Sequence, residues 1–142
     1  MRIIANVRIV RRDDLIFPEL SYRLVGILFK VFNELGPGYL EKHYQRAVEK
    51  EFADEGIPYR SEVVIPLRYR ETAIGKYRAD IVVDGRVLLE LKKDQRMNPR
   101  HIRQVLAYLQ ALNLPLGIIA YFQTDGVFFK RIVNHSFIRT DS

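Results

Sequence analysis

Residues Tyr77 to Lys92, YRADIVVDGRVLLELK, decide the fold. Two short aliphatic arms flank Asp84-Gly85, a dipeptide that favours a tight hairpin turn. Alternate side chains of a strand share a face. Ala79, Ile81 and Val83 therefore line one face of the first arm, and Val87, Leu89 and Leu91 line one face of the second. These six form the expected core side. The other faces carry Arg78, Asp80 and Val82, and Arg86, Leu88, Glu90 and Lys92.

Register decides whether the charged groups meet. A strict two-residue turn pairs Val83 with Arg86, splits the apolar set and sends Asp80 and Glu90 to opposite faces. An odd register, from a three-residue loop or glycine bulge, unites the apolar set and brings Asp80 near Glu90. Burial favours the second, because a one-residue slip would expose the core face. Two acids held this close repel each other unless a divalent cation sits between them, and oxygen ligands suit Mg²⁺ or Mn²⁺. Lys92 on the same face could orient a water or stabilise charge on a phosphate. The plain alternative is a solvated hairpin face with ordinary ion pairs.

Working outward, the 142 residues suit a single domain: a core over about 20–133, an N-terminal strand or arm over 1–18 and a loose tail over 134–142. A chain of this size buries roughly 70% of its unfolded surface. There is no cysteine, which excludes disulfides, cysteine-held metals and thiol catalysis. No apolar run approaches the ~20 residues of a membrane span, and the first residues lack the apolar stretch of a secretory signal. The expected location is cytoplasmic. Net charge is +6 and uneven, with 12 basic and 11 acidic residues over 1–71 against 11 and 6 over 72–142. The half that holds the hairpin is the basic one, which suits a polyanionic partner.

Ile3, Val7, Ile9 and Val10 suit a short edge strand, followed by a charged connector from Arg11 to Asp14. Leu20 to Leu35 has helical apolar spacing, with Ser21 as a candidate cap, and Gly36-Pro37-Gly38 ends it. A second helix is expected over Tyr39 to Glu55, with Leu40, Tyr44, Ala47, Val48 and Phe52 buried. Glu41 lies beside that stripe in the first turn, where the helix dipole favours acids. Arg60 to Arg70 reads as a strand, placed at an edge or bulge by Pro66. Glu71 to Lys76 reads as a turn.

Past the hairpin, Lys92, Lys93, Arg96, Arg100 and Arg103 cluster around Asn98-Pro99, a cap and first residue for a helix reaching Asn113. Lys93, Arg96, Arg100 and Arg103 could hold phosphates there, helped by free backbone N–H groups. Gln104 and Tyr108 stack one turn apart on that helix. Pro115 to Phe122 reads as a buried strand parallel to the one before the helix, and Val127 to Val133 as the last strand. The class is α/β with a mixed central sheet flanked by helices. His43, His101 and His135 sit on separate elements and read as surface or packing residues. The Gly36 to Gly38 step lacks the Lys-Ser/Thr of a phosphate loop.

This order, with Glu41, Asp80, Glu90-Leu91-Lys92 and Gln104-x-x-x-Tyr108, resembles the PD-(D/E)xK nuclease superfamily, of restriction-endonuclease-like fold. The Q-x-x-x-Y step is like the RecB-type branch. Gly38 to Tyr44, GYLEKHY, fits the signature of the GxxExxY protein family within that superfamily. The resemblance implies that Glu41, Asp80 and Glu90 are metal ligands and Lys92 the catalytic lysine, with Gln104 supporting the site and Tyr108 packing or touching substrate. One departure is Tyr121-Phe122-Gln123, where the family often has an N-F-N-like segment. The expected function is that of a Mg²⁺-dependent deoxyribonuclease with DNA, or RNA, as substrate, off the membrane and open to homodimerisation. The alternatives are a nucleic-acid-binding module without turnover and a protein-interaction subunit.

Overall fold

The computed structural model describes residues 16–137. The expected strand at Ile3 to Val10, its connector, and the tail from 138 onward lie outside the described residues. Helices α1 (Pro18–Leu35) and α2 (Glu41–Glu55) precede strands β1 (Tyr59–Tyr69), β2 (Thr72–Val83) and β3 (Val87–Lys92). Helix α3 (Pro99–Leu112) then leads to β4 (Leu116–Gln123) and β5 (Gly126–Val133). The five strands form one sheet in the order β1-β2-β3-β4-β5. Among the described residues only the β3–β4 pair is parallel. Among the described residues no helix is long and apolar enough to cross a membrane.

The sheet separates two cores. Leu24 and Leu28 of α1 and Val48 and Phe52 of α2 pack on Ile81, Leu89, Ile118 and Phe122. Val105 and Leu109 of α3 pack on Val82, Leu88, Ile119 and Tyr121 from the other side. Successive residues of β4 thus enter opposite cores, as strand pleating requires, and its run is buried throughout except at Gln123. Gly117 lets α3 approach β4, since a Cβ there would lie 2.8 Å from Val105 Cγ1. Lys30–Glu51 (2.9 Å) and Arg23–Glu55 (3.2 Å) tie α1 to α2 at the surface.

The hairpin adopts the odd register, with Val83 opposite Val87, Val82 opposite Leu88 and Ile81 opposite Leu89. Asp84 and Gly85 both turn left-handed, and the Arg86 N–H donates to the Val83 carbonyl at 2.9 Å. Five of the six residues expected on the core face lie in the first core, but Ala79 packs in the second, beside Val63 and Ile65. The reason is local. The β1–β2 ladder runs from Ser61–Ile81 to Val63–Ala79, leaving Glu62 and Asp80 between, and Glu62 has φ 53. A left-handed residue in mid-strand rotates the pleat, so the faces exchange beyond it.

Four boundaries differ from expectation. Ser21 does not cap α1: the helix starts at Pro18, behind a left-handed Phe17, and the buried Ser21 hydroxyl has no partner among the described residues. Helix α2 starts at Glu41, because Leu40 is extended and its carbonyl accepts the first helical N–H, that of Tyr44. Residues 71–76 are not all turn. Left-handed Arg70 and Glu71 make the reversal alone, and the strands run up to them. Asn134 to Phe137 is not loose. Asn134 is buried, donates to the Leu114 carbonyl at 3.1 Å and accepts from Ser136, starting a 3₁₀ turn at His135–Phe137.

Candidate active site

The site forms where β2 and β3 part. Their paired register stops at Ile81–Leu89, one residue short of Asp80 and Glu90. The two carboxylates fill the fork. The Asp80 N–H donates to Glu90 Oε2 at 2.7 Å, and the Leu91 N–H donates to Asp80 Oδ2 at 2.8 Å. Each acid thus satisfies a main-chain donor that the ladder would otherwise have used. Each also keeps one oxygen outside that exchange. Glu90 lies near the carboxyl end of β3, a strand parallel to β4, where ligands of such sheets gather.

Burial makes this pair unstable as two anions. Glu90 is 3% exposed, so the face is not a solvated one. Its pKa is raised by burial and then by Asp80, against the pull of the Asp80 N–H and Lys92. The Asp80 pKa is raised by burial too, opposed by the Leu91 N–H and Lys92, while Glu41 and Glu62 push it further up. A divalent cation with oxygen ligands fits such a pair, since its charge offsets both the desolvation and the mutual repulsion.

Glu41 comes to the site from α2. Tyr44 is fully buried, stacks on Phe122 at 4.2 Å, donates its hydroxyl to the Gly36 carbonyl at 2.6 Å and accepts the Tyr39 N–H at 3.3 Å. This fixes the turn between the helices and sets the first residue of α2 against the end of β3. There Glu41 Oε2 accepts the Lys93 N–H at 3.2 Å. Among the described residues no three His, Asp or Glu side chains gather as a ready-made metal cage. Mg²⁺ needs none, as it commonly takes one or two carboxylates and fills its shell with water and phosphate oxygens.

Lys92, Gln104, Arg100 and Arg103 line one cavity of about 570 Å³, together with Tyr77, His101 and Ala107. Arg96 faces a different depression, formed by residues 94–99. Lys93 is held through its main chain at Glu41. Tyr108 is 3% exposed, with its ring 5.3 Å from that of Tyr77, so it packs. Burial, then Glu90, pushes its hydroxyl up to about 12.

Several supporting residues escaped the sequence reading. The Gln45 amide donates to Glu49 at 2.9 Å, to Glu62 at 3.2 Å and to the Asp80 carbonyl at 3.3 Å. Its signal was present: Glu41, Gln45 and Glu49 recur every four residues on α2. The Tyr121-Phe122-Gln123 segment secures the loop after the site. Tyr121 meets His101 Nδ1 at 2.9 Å, and Gln123 donates to the Asp94 carbonyl at 3.0 Å.

Comparison with known proteins gives a family and a fold. A family profile described as PD-(D/E)XK nuclease superfamily matches residues 18–132. No curated protein matches the chain. A solved structure titled "Crystal structure of SSO0001" is similar in fold, with TM-score 0.53, 17% identity and 65% of this chain covered. The chain spans about half of that protein, 48% of its length.

Proposed function

The chain belongs to the PD-(D/E)XK nuclease superfamily, and from that premise we propose that it hydrolyses phosphodiester bonds in DNA with the help of a divalent cation. The observation that carries the reading is the interlocked Asp80–Glu90 pair, Glu90 buried and Asp80 half-buried, with Lys92 two residues along the strand. Asp80 and Glu90 would hold Mg²⁺ or Mn²⁺, with Glu41 as the third carboxylate within reach. An ion bound there supplies charge neutralisation at a phosphate and a more acidic water.

The chain's own groups do the rest. Lys92 places a positive charge beside the carboxylates, where it holds the attacking water or the negative charge that grows on the scissile phosphate. Arg100 and Arg103, with Lys93 and Arg96 beyond, hold the flanking phosphates without reading sequence. Gln104 lines the wall next to Lys92, and Tyr108 keeps that wall dry from behind. Within the superfamily, Gly38 to Tyr44 and Gln104 to Tyr108 support the GxxExxY family and the RecB-like branch. A binding module or interaction subunit gains nothing from a buried carboxylate held against a half-buried one that repels it, so turnover is the reading the site favours.

The test is cleavage of supercoiled and branched DNA with Mg²⁺, by the protein and by Glu90→Gln prepared alongside. Nicked and linear products from the wild type, lost with the variant and with a chelator, support the proposal. Equal cutting by both proteins would assign the activity to a contaminant, and no cutting by either would end the reading.

A further inference from the structure

We propose that the outer half of the β1–β2 hairpin is a ribbon that enters the major groove of duplex DNA and seats it on the site. The proposal rests on the nuclease reading and adds to it a substrate form and a second binding element. Its basis is a piece of structure that the fold does not explain. The β1–β2 ladder continues to Tyr69–Thr72, while β3 pairs with β2 only over Ile81 to Val83. From Pro66 to Arg78 every residue is exposed except Leu67, which is half-buried. Two strands with no third are marginal by themselves. This pair also leaves Tyr69 59% and Ile74 64% exposed.

Charge identifies the occupant. Arg68, Arg70, Lys76 and Arg78 stand on the ribbon against a single acid, Glu71. Val64 lies opposite Arg78, and Pro66 opposite Lys76, so these two cations share a face. The Arg70 guanidinium lies over the Tyr69 ring at 5.2 Å, near the tip. A polyanion satisfies these groups, and a groove with phosphates along both walls accepts them on both sides of a ribbon. Six residues of strand reach roughly 20 Å. The major groove of B-DNA, about 12 Å wide, admits a two-stranded ribbon. The deep, narrow groove of A-form RNA does not.

Position links the ribbon to the chemistry. Tyr77, at its base, lines the same cavity as Lys92, Arg100 and Arg103. The base of the ribbon, at Tyr77, and the start of α3 therefore border one cavity together with Lys92. A duplex held by the ribbon brings a backbone past that cavity, within reach of the two α3 arginines.

The experiment measures binding without turnover. The full chain, kept metal-free with a chelator, is titrated by fluorescence anisotropy against a labelled DNA duplex, the matching RNA duplex and the single strand. The wild type should prefer the DNA duplex. The Arg68→Ala/Arg70→Ala variant should lose about tenfold or more near 0.1 M salt, and its log–log salt slope should fall by about two. Arg68→Lys/Arg70→Lys should keep most of the affinity and the slope, and Lys130→Ala on β5 should bind as the wild type does. An alanine variant that binds like the wild type, or an RNA duplex bound as tightly as DNA, overturns the proposal. The two readings fail separately. Ribbon-dependent binding without Mg²⁺-dependent cleavage refutes the nuclease alone, and cleavage with unchanged affinity in the alanine variant refutes the ribbon alone.

Discussion

Strand β2 changes character halfway along. From Ile81 to Val83 it lies between β1 and β3, with a helix layer on each side, and its side chains are buried. From Thr72 to Arg78 it pairs, among the described residues, with β1 alone, and every side chain is exposed. The change falls at Asp80, where the ladder to β1 skips a residue and the ladder to β3 ends. The contrast teaches where each kind of charge can stand. An acid pair that must be kept from water to attract a cation needs a wide, covered sheet. Arginines and lysines that meet a polyanion need the narrow, uncovered one. Strand β2 carries Asp80 in the one region and Lys76 and Arg78 in the other, so the spacing between them is fixed by the backbone.

The contrast can be tested by substitution on either side of Asp80. The largest effect is expected in the inner half, from the acids. Glu90→Gln or Asp80→Asn should lower the Mg²⁺-dependent cleavage rate by about a thousandfold or more, read from initial rates at saturating DNA. A loss as large from Arg78→Ala, in the outer half, would erase the distinction. Next comes packing. Ile81→Ala removes a fully buried side chain and should cost about 2–5 kcal/mol in urea unfolding.

The third effect has the opposite sign. Both acids titrate above the ordinary carboxylate range in the folded protein, because burial and mutual repulsion disfavour the anions. The folded chain therefore retains protons that the unfolded chain has released, and stability drops as pH rises through the folded pKa values. Without metal, Glu90→Gln should be more stable than the wild type by about 1–3 kcal/mol near pH 8. The gain should shrink as pH falls toward 5 and again when Mg²⁺ is added to the wild type. A variant less stable than the wild type at pH 8 would mean that the pair is not strained. The smallest effect belongs to the outer half, where Ile74→Ala should change unfolding stability by no more than about 0.5 kcal/mol.

Much of this was legible in the sequence because it follows from side-chain alternation. The apolar pattern of Ile81, Val83, Val87, Leu89 and Leu91 required the odd register, and that register places Asp80 beside Glu90. The caps and breakers at Gly36 to Gly38 and Asn98-Pro99 located two helix ends. What escaped depends on single backbone states or distant contacts. Nothing in the type of residue 62 announces a left-handed glutamate, so the exchange of faces at Ala79 was hidden. Residues 71–76 lack apolar alternation because neither face of the ribbon is covered, and they read as turn for that reason. Glu41 looks like an ordinary first-turn acid until the fold brings the end of β3 to it.

The most direct measurement is a Mn²⁺ soak of crystals of the protein, with anomalous scattering to locate the ion. A peak touching the carboxylates of both Asp80 and Glu90, absent from Glu90→Gln crystals, is the predicted result. Mn²⁺ bound elsewhere, or no ion at the two carboxylates at saturating metal, would contradict it.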